Sequence, residues 1–465
     1  MILKPYWTLF FVLTIFIFVY YNVFMVLDVS NRDATSSSGL SVTNIVAYSL
    51  KKRVELDSEE YFCDKIEKSV DESDGYSGKS WRRIRDSEVY VYSVNMDRRL
   101  EPYIYLRIIA MIKGSWNGTI YCQFLSTHGH IKVIKSTVTP IWFTEWDKED
   151  KNVYYNPTFI SCRVPHIFSS ENAPKIFLST KPCEISSQAF HVYLTNDTEI
   201  RNFTVCVKPM NFQADISNYL VQWIEMNKLL GAEYFHIFLG NINENTRKIL
   251  KWYKSTSPNM FKLENFELID SFQYLPTDLI RKTWQRRRYE IISYNECFYK
   301  NLNSKYIIPL DIDEIILPKT ADTWRNLVHN LHNYASLSIR NVYFFTEDTY
   351  TSNKSVFFNY IYRTGKMNQI GENTKSFIPT KNALTVFNHY SLHLLRPGIR
   401  KNYFFPFEDA QLNHYKESCD AVIFPECSTY LSSPKVVDKT IVKFRNKFNE
   451  NYKNVLKKIS YNKIL

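Results

Sequence analysis

Glycine and proline are scarce: 11 Gly and 17 Pro in 465 residues exclude collagen-like and glycine-rich linker architectures. No repeat of fixed period marks a solenoid. No Cys-x-x-Cys pair occurs, so zinc ribbons and thioredoxin-type sites lose their usual signal. No G-x-G-x-x-G follows a strand-like run and no G-x-x-x-x-G-K-[ST] exists, which leaves dinucleotide folds and P-loop ATPases without support. What is present is a chain of 55.2 kDa, 45% hydrophobic and 16% aromatic, with the mass of two or three folded units and a composition that disordered chains do not reach.

The net charge of +11 is unevenly spread, because nine Lys or Arg face two acids from Lys435 onward. Ile441, Phe444, Phe448 and Val455 are interleaved there at near-helical spacing, so the segment 431–465 reads as a basic helical tail with one solvated face rather than a nucleic-acid grip. No nucleic-acid partner is expected.

The amino terminus carries the one long apolar run. Residues 6–27, about 22 without a charge, span roughly 33 Å as a helix and are long enough to cross a bilayer. The run is bulky and aromatic with no small-residue cleavage site, which favours an uncleaved transmembrane helix, a signal-anchor, over a signal peptide. Lys4 in the tail 1–5 favours a cytoplasmic start and hence single-pass type II topology, with everything after Asp28 lumenal. Sequons at Asn117, Asn196, Asn202 and Asn353 all follow the run, as do all eight cysteines, an even number suited to a disulfide-permissive compartment. Cys206 and Cys297, each in an expected core element, are the two expected to stay free.

Residues 28–80 are rich in Ser, Asp, Glu and Lys and read as a stem. From 81 to 202, short alternating or aromatic runs such as Glu88 to Ser93 and Tyr103 to Ile109 alternate with turn clusters, which predicts a β-rich accessory module. The rhythm then changes. Strand-like runs at Phe203 to Val207, Tyr234 to Leu239, Phe261 to Ile269 and Tyr306 to Leu310 alternate with helical segments, the last a long basic helix from Trp284 to Asn301. That pattern predicts an α/β domain over 203–430, with a Rossmann-like, mostly parallel sheet whose ligands bind beyond the carboxyl ends of the strands.

The fourth of those strands stops at Asp311-Ile312-Asp313-Glu314. Alternation places Asp311 and Asp313 on one side of a strand end, where two carboxylates suit Mg²⁺ or Mn²⁺ and the phosphate oxygens of a nucleoside diphosphate. Lys208 and Asn241, after the first two strands, are candidates for the nucleotide edge, and Arg286, Arg287, Arg288 and Lys375 for its phosphates. One helix cannot aim three consecutive arginines into one site, so at least one is expected in solvent. The carboxylates that could take a proton from an acceptor are Glu347, Asp348, Glu372, Glu408 and Asp409, with Glu372 and Asp409 preferred as catalytic candidates.

Cys206-Val-Lys-Pro, Trp223-Ile-Glu, Asn295-Glu-Cys297, Leu310-Asp-Ile-Asp-Glu, Lys375-Ser and His414-Tyr415-Lys416 occur in an order that resembles glycosyltransferase family 92. Glu296 and Lys416 depart from it, since the family often has Asp and Arg there. The resemblance implies a GT-A type glycosyltransferase fold and a Golgi membrane glycoprotein. Its implied activity is metal-dependent hexosyltransferase, an inverting galactosyltransferase drawing on UDP-galactose or another UDP-sugar, with a glycan or glycoprotein acceptor. Manganese would be held by Asp311, Asp313 and His414, for which His389 and His393 compete. Rival readings are a lumenal nucleotide-sugar hydrolase and an anchored glycan-binding scaffold without catalysis.

Overall fold

The computed structural model describes residues 80–126, 131–168, 175–185, 189–195, 200–269, 279–345, 356–417 and 426–461, with short strands and Cys63 between Glu60 and Ser77. The expected cytoplasmic tail, anchor and most of the stem lie outside these residues, as do Asn196, Asn353, Glu347 and Asp348. Among the described residues no helix is long and apolar enough to cross a membrane. Residues 58–465 form one compact unit.

Its first half is antiparallel. Strands β1 (Val89–Leu100), β2 (Tyr103–Lys113) and β5 (Tyr155–Arg163) build one sheet, and β3 (Tyr121–Leu125), β4 (Ile131–Lys135) and β6 (Lys175–Ser179) build a second. The facing sides share a core of Val91, Ile108, Ala110, Phe124, Ile134, Ile160 and Leu178. Cys122 on β3 is bonded to Cys162 on β5, tying the two sheets together across a 40-residue separation. A loop of that length corresponds to about 3–4 kcal/mol of stabilisation in the chain-entropy picture. The outer face of the first sheet is equally apolar: Tyr90, Ile109, Met111, Tyr155 and Phe159 pack against a helix of the second half. This explains why β2 reads YIYLRIIAMIK, a nearly unbroken apolar run where a half-exposed strand would alternate.

The second half is α/β. Its seven-stranded sheet runs β9 (Phe261–Asn265), β8 (Tyr234–Ile242), β7 (Arg201–Phe212), β10 (Ser304–Pro309), β14 (Lys375–Pro379), β12 (Tyr334–Ile339) and β15 (Arg400–Phe404). The first four are mutually parallel, as the βα rhythm predicts, whereas β14 lies antiparallel to both neighbours. Helix α1 (Ser217–Leu230) crosses from β7 to β8 and stops at Gly231, whose φ of +128° only glycine adopts without strain. Helix α2 (Glu244–Thr256) joins β8 to β9.

Helix α3 (Leu279–Lys300) leads into β10 and is buried along nearly its whole second half, because it lies between this sheet and the first half of the molecule. Each residue of Asn295-Glu296-Cys297 makes a distinct tie there. Asn295 exchanges two hydrogen bonds with the backbone of Val386, and Glu296 accepts from Ser93 of β1 and pairs with Lys300. Cys297 is bonded to Cys206 of β7, so these two cysteines are not the free pair the sequence predicts: burial of both in adjacent elements is what brings them together. Cys63 is bonded to Cys183, and Cys427 is also in a disulfide.

A smaller sheet completes the fold: β11 (Glu314–Pro318) pairs antiparallel with β16 (Ala410–Lys416), which pairs parallel with β13 (Asn341–Phe345). Helix α4 (Arg445–Tyr461) lays Phe448 and Ile459 into the main core, leaving lysines such as Lys447, Lys453 and Lys457 in water as expected of an amphipathic tail. Of the described sequons, Asn117 is exposed. Asn202 instead donates its amide to Glu233 Oε1 at 2.7 Å, an amide already engaged within the fold.

A polar seam joins the halves. His236 on β8 is fully buried, with Glu264 at 3.1 Å on one ring nitrogen and Asn301 at 3.2 Å on the other, while Tyr92 of β1 donates to Glu264 at 3.1 Å. Burial pushes the His236 pKa down to about 4, against the opposing pull of Glu264. An unfolded histidine titrates near ~6.5, so between those values the unfolded chain binds the extra proton. The stability that neutral His236 contributes is complete above ~6.5 and is lost as pH falls through about 4. Unfolding midpoints in urea should therefore drop over that window, and the drop should be shallower in His236→Asn; an unchanged slope in the variant would assign it to other groups.

Candidate functional site

The carboxyl ends of β7 and β10 open into a cleft of about 530 Å³, the position where parallel α/β sheets bind ligands. Its lining comes from the end of β7 (Val207 to Phe212), one stripe of α3 (Arg286, Arg287, Glu290), the turn Asp311 to Glu314, Tyr343, Asn373, Lys375, Asn388, His389, His414 and Lys416.

After Pro309 the chain leaves the sheet and closes a turn, Glu314 N–H donating to Asp311 C=O at 3.1 Å and Asp311 N–H to Glu314 Oε2 at 3.1 Å. Strand alternation ends where the turn begins, so Asp311 and Asp313 do not share one set of neighbours as the strand reading predicts. Asp311 meets Lys208 Nζ at 3.2 Å, Lys375 Nζ at 3.1 Å and the Tyr294 hydroxyl at 3.3 Å. Asp313 meets His414 Nε2 at 3.1 Å. The β11–β16 register sets Glu314 directly opposite His414, whose Nδ1 lies 3.5 Å from Glu314 Oε1. Trp223, from the Trp-Ile-Glu segment of α1, donates its indole N–H to Glu314 C=O at 2.9 Å and so fixes the turn from below.

Charge is dense and mostly paired. Burial works against ionising Asp311, but Lys208 first and then Lys375 hold its carboxyl far below the usual range. Burial likewise opposes charge on Lys208, and Asp311 and then Glu290, 3.4 Å away, keep the ammonium protonated. Lys375 is 2% exposed and reaches Glu314 at 3.4 Å as well as Asp311. Burial raises Glu314, with Lys375 opposing, while Asp313 is lowered against its burial, chiefly by His414. His389 is half-buried, donates from Nδ1 to Thr374 C=O at 2.8 Å, and is pushed down to about 3 by burial and by Lys375. His393 turns to Thr385 instead.

Of the residues singled out from sequence, Lys208, Arg287, Lys375, Asp311, Asp313 and His414 come together here. Asn241 does not; it is exposed on β8 and absent from the cleft wall, where Asn211 of β7 stands. Asp409 is also misplaced as a catalytic carboxylate. It stands just before the start of β16, where Ala410 faces Pro318, five residues from His414, roughly 17 Å along a strand. Glu372 is exposed in the turn before β14 and takes the Gln369 N–H at 3.0 Å, one residue from Asn373 in the wall. Among the three arginines, Arg286 and Arg287 line the cleft while Arg288 points away, yet not into water: it is buried against Asp147 of the first half.

Sequence reasoning missed Glu290 and Tyr294; His389, weighed there as a rival of His414 for the metal, does line the cleft. The first two were within reach, since 286, 290 and 294 follow one another at i, i+4 along a single helical face.

Among the described residues no three His, Cys, Asp or Glu side chains converge on one point as a complete metal cage. The donor set still fits a divalent cation with two protein ligands. Asp313 supplies a carboxylate oxygen and His414 an imidazole nitrogen facing it, Glu314 stands behind the ring, and the buried His414 Nδ1 has no hydrogen-bond partner.

No curated protein matches the chain. Among solved structures, the apo form of WbbM, described as a bifunctional glycosyltransferase, is similar at 10% identity with a TM-score of 0.19, over 34% of this chain and 27% of that one; the likeness is too slight to argue from. The family model described as Glycosyltransferase family 92 matches residues 201–452, from the first strand of the α/β half into the first part of the tail helix and more than half of the chain. The match takes in every residue that lines the cleft, and the chain belongs to glycosyltransferase family 92.

Proposed function

We propose that the protein transfers a hexose, most simply galactose, from a UDP-sugar to a glycan acceptor, with Mn²⁺ or Mg²⁺ at the diphosphate. The observation that carries the reading is the cleft at the ends of β7 and β10, where the Asp311–Glu314 turn, His414 and a cluster of cations meet. A dianionic diphosphate suits Lys208, Lys375, Arg286 and Arg287, while Asp313 and His414 would hold the cation; imidazole favours Mn²⁺ over Mg²⁺. When bound, such a cation neutralises charge that develops on the departing diphosphate.

The chain's own groups divide the remaining work. Lys375, clamped between Asp311 and Glu314, cannot swing freely and so presents a fixed ammonium to the leaving group. Glu290 and Asp311 do the same for Lys208. In an inverting transfer the acceptor hydroxyl attacks the anomeric carbon as the bond to diphosphate breaks, and a carboxylate takes the hydroxyl proton, worth about 10²- to 10⁴-fold. Glu372 is the remaining candidate for that role of the two preferred from sequence. The expected setting is a type II Golgi membrane protein with the cleft in the lumen.

The full chain purified in detergent should show a rise in unfolding midpoint with UDP-galactose plus Mn²⁺ that exceeds the sum of either alone, because diphosphate and cation bind together. A midpoint indifferent to both, at millimolar concentrations, would favour a scaffold without catalysis.

A further inference from the structure

Trp146 belongs to the antiparallel half, outside residues 201–452, yet it stands beside the cleft. It closes a single 3₁₀ turn, Thr144–Trp146, in the loop before β5. Two ties fix that loop to the α/β half. Asp147 pairs with buried Arg288 and accepts the indole N–H of Trp142 at 2.9 Å, and Trp142 packs edge-on against Trp284 and Phe387, with ring centroids 6.3 and 6.0 Å away. Trp146 is thereby held 4.8 Å from Phe387 and 5.8 Å from His389, with the Arg287 guanidinium 5.7 Å from its ring. His389 and Arg287 are both cleft residues.

Trp146 is only half-buried. The indoles of Trp81, Trp142, Trp223 and Trp324 each donate to a protein acceptor; among the described residues that of Trp146 has none, as with the buried indole nitrogens of Trp116 and Trp252, but Trp146 alone of these three stands beside the cleft. A rigid aromatic surface with an unused donor, on a pinned loop beside a reaction cleft, has the makings of a recognition shelf. The local charge says for what. The phosphate end of the cleft carries Lys208, Lys375, Arg286 and Arg287, whereas the charges of this loop outside the Asp147–Arg288 pair, Glu145, Glu149 and half-buried Asp150 against Lys148 and Lys151, nearly cancel and offer no cationic patch to a phosphate, which suits a neutral ligand.

We infer that the loop around Trp146 is the acceptor subsite, in which a pyranose ring of the acceptor glycan lays its C–H face on the open part of the half-buried indole. Nε1–H and the Glu145 carboxylate then face the sugar hydroxyls. The inference rests on the glycosyltransferase reading of the cleft and adds that the antiparallel half selects the acceptor.

The test uses the full chain in detergent, Trp146→Ala and Trp146→Phe, a labelled pool of N-glycans ending in fucose, galactose or N-acetylglucosamine, and UDP-galactose with Mn²⁺. Trp146→Ala should raise the acceptor KM about tenfold, the scale of one lost aromatic contact, while the donor KM stays put; Trp146→Phe should recover most of the loss. A wild-type acceptor KM in Trp146→Ala, or a rise in donor KM in its place, overturns the subsite. Saturation-transfer NMR on the same glycans needs no turnover and separates the two ideas. If wild type uses no UDP-sugar, the donor reading fails alone, and glycan saturation that disappears in Trp146→Ala still supports the subsite. No saturation of any glycan overturns it.

Discussion

Asp313→Asn should lower transfer by roughly 10³-fold or more while leaving the protein folded. Under the proposed function Asp313 is the carboxylate that shares a divalent cation with His414, and removing its charge takes several kcal/mol from the stabilisation of the departing diphosphate. The fold has little reason to suffer. Asp311 and Glu314 lie close by, so the amide relieves like-charge crowding as it gives up the His414 contact. The measurement is a rate with UDP-galactose and Mn²⁺ beside a near-ultraviolet circular dichroism spectrum. Wild-type rates in Asp313→Asn would remove this residue from the cation site, and lost rates with a lost spectrum would show a structural role instead.

The second large effect is expected at Lys375. Its ammonium is buried between Asp311 and Glu314, and Glu314 is itself enclosed, with 3% of its side chain exposed. Lys375→Met keeps the aliphatic stem and leaves a buried carboxylate with one cation fewer, a change that costs about 3–5 kcal/mol where a buried pair is broken. Lys208 still faces Asp311, which puts the expectation at the lower end of that range. Urea unfolding should show the loss directly. Binding of UDP-galactose should weaken in the same variant, since the fixed ammonium is gone from the phosphate end of the cleft. A loss below about 1 kcal/mol would mean that Glu314 takes up a proton in compensation, which burial already favours.

Much of the scaffold is legible in the sequence because it rests on local periodicity. The runs at Phe203, Tyr234 and Tyr306 fall within β7, β8 and β10, and the helix placed at Trp284 to Asn301 falls largely within α3. What periodicity cannot carry is contact between distant segments. Cys206 and Cys297 are separated by 91 positions and meet only because α3 packs on β7. Asp409 neighbours the late histidine in sequence but points to the wrong end of β16, since an extended strand carries residues apart at about 3.3 Å each. Asp311 and Asp313 part because the strand stops before them, a boundary that an uninterrupted apolar run conceals. The module at 81–202 gave no chemical motif, and its bearing on the cleft lies in packing: α3 is wedged against its sheet, and its loop brings Trp142 and Trp146 to Phe387.

The central claim is that the cleft transfers a sugar from a UDP donor. It is tested most directly by a donor panel with the purified full chain at fixed Mn²⁺: UDP-galactose, UDP-glucose, UDP-N-acetylglucosamine, GDP-fucose and CMP-sialic acid, each with the mixed N-glycan pool and with no acceptor. The account predicts a mass increment of one hexose on glycan from UDP-galactose, abolished by EDTA, and no product from the CMP-sugar, which lacks a diphosphate for the cation to bridge. Transfer from GDP-fucose or CMP-sialic acid but from no UDP-sugar, or release of free sugar at the same rate with and without glycan, would contradict it.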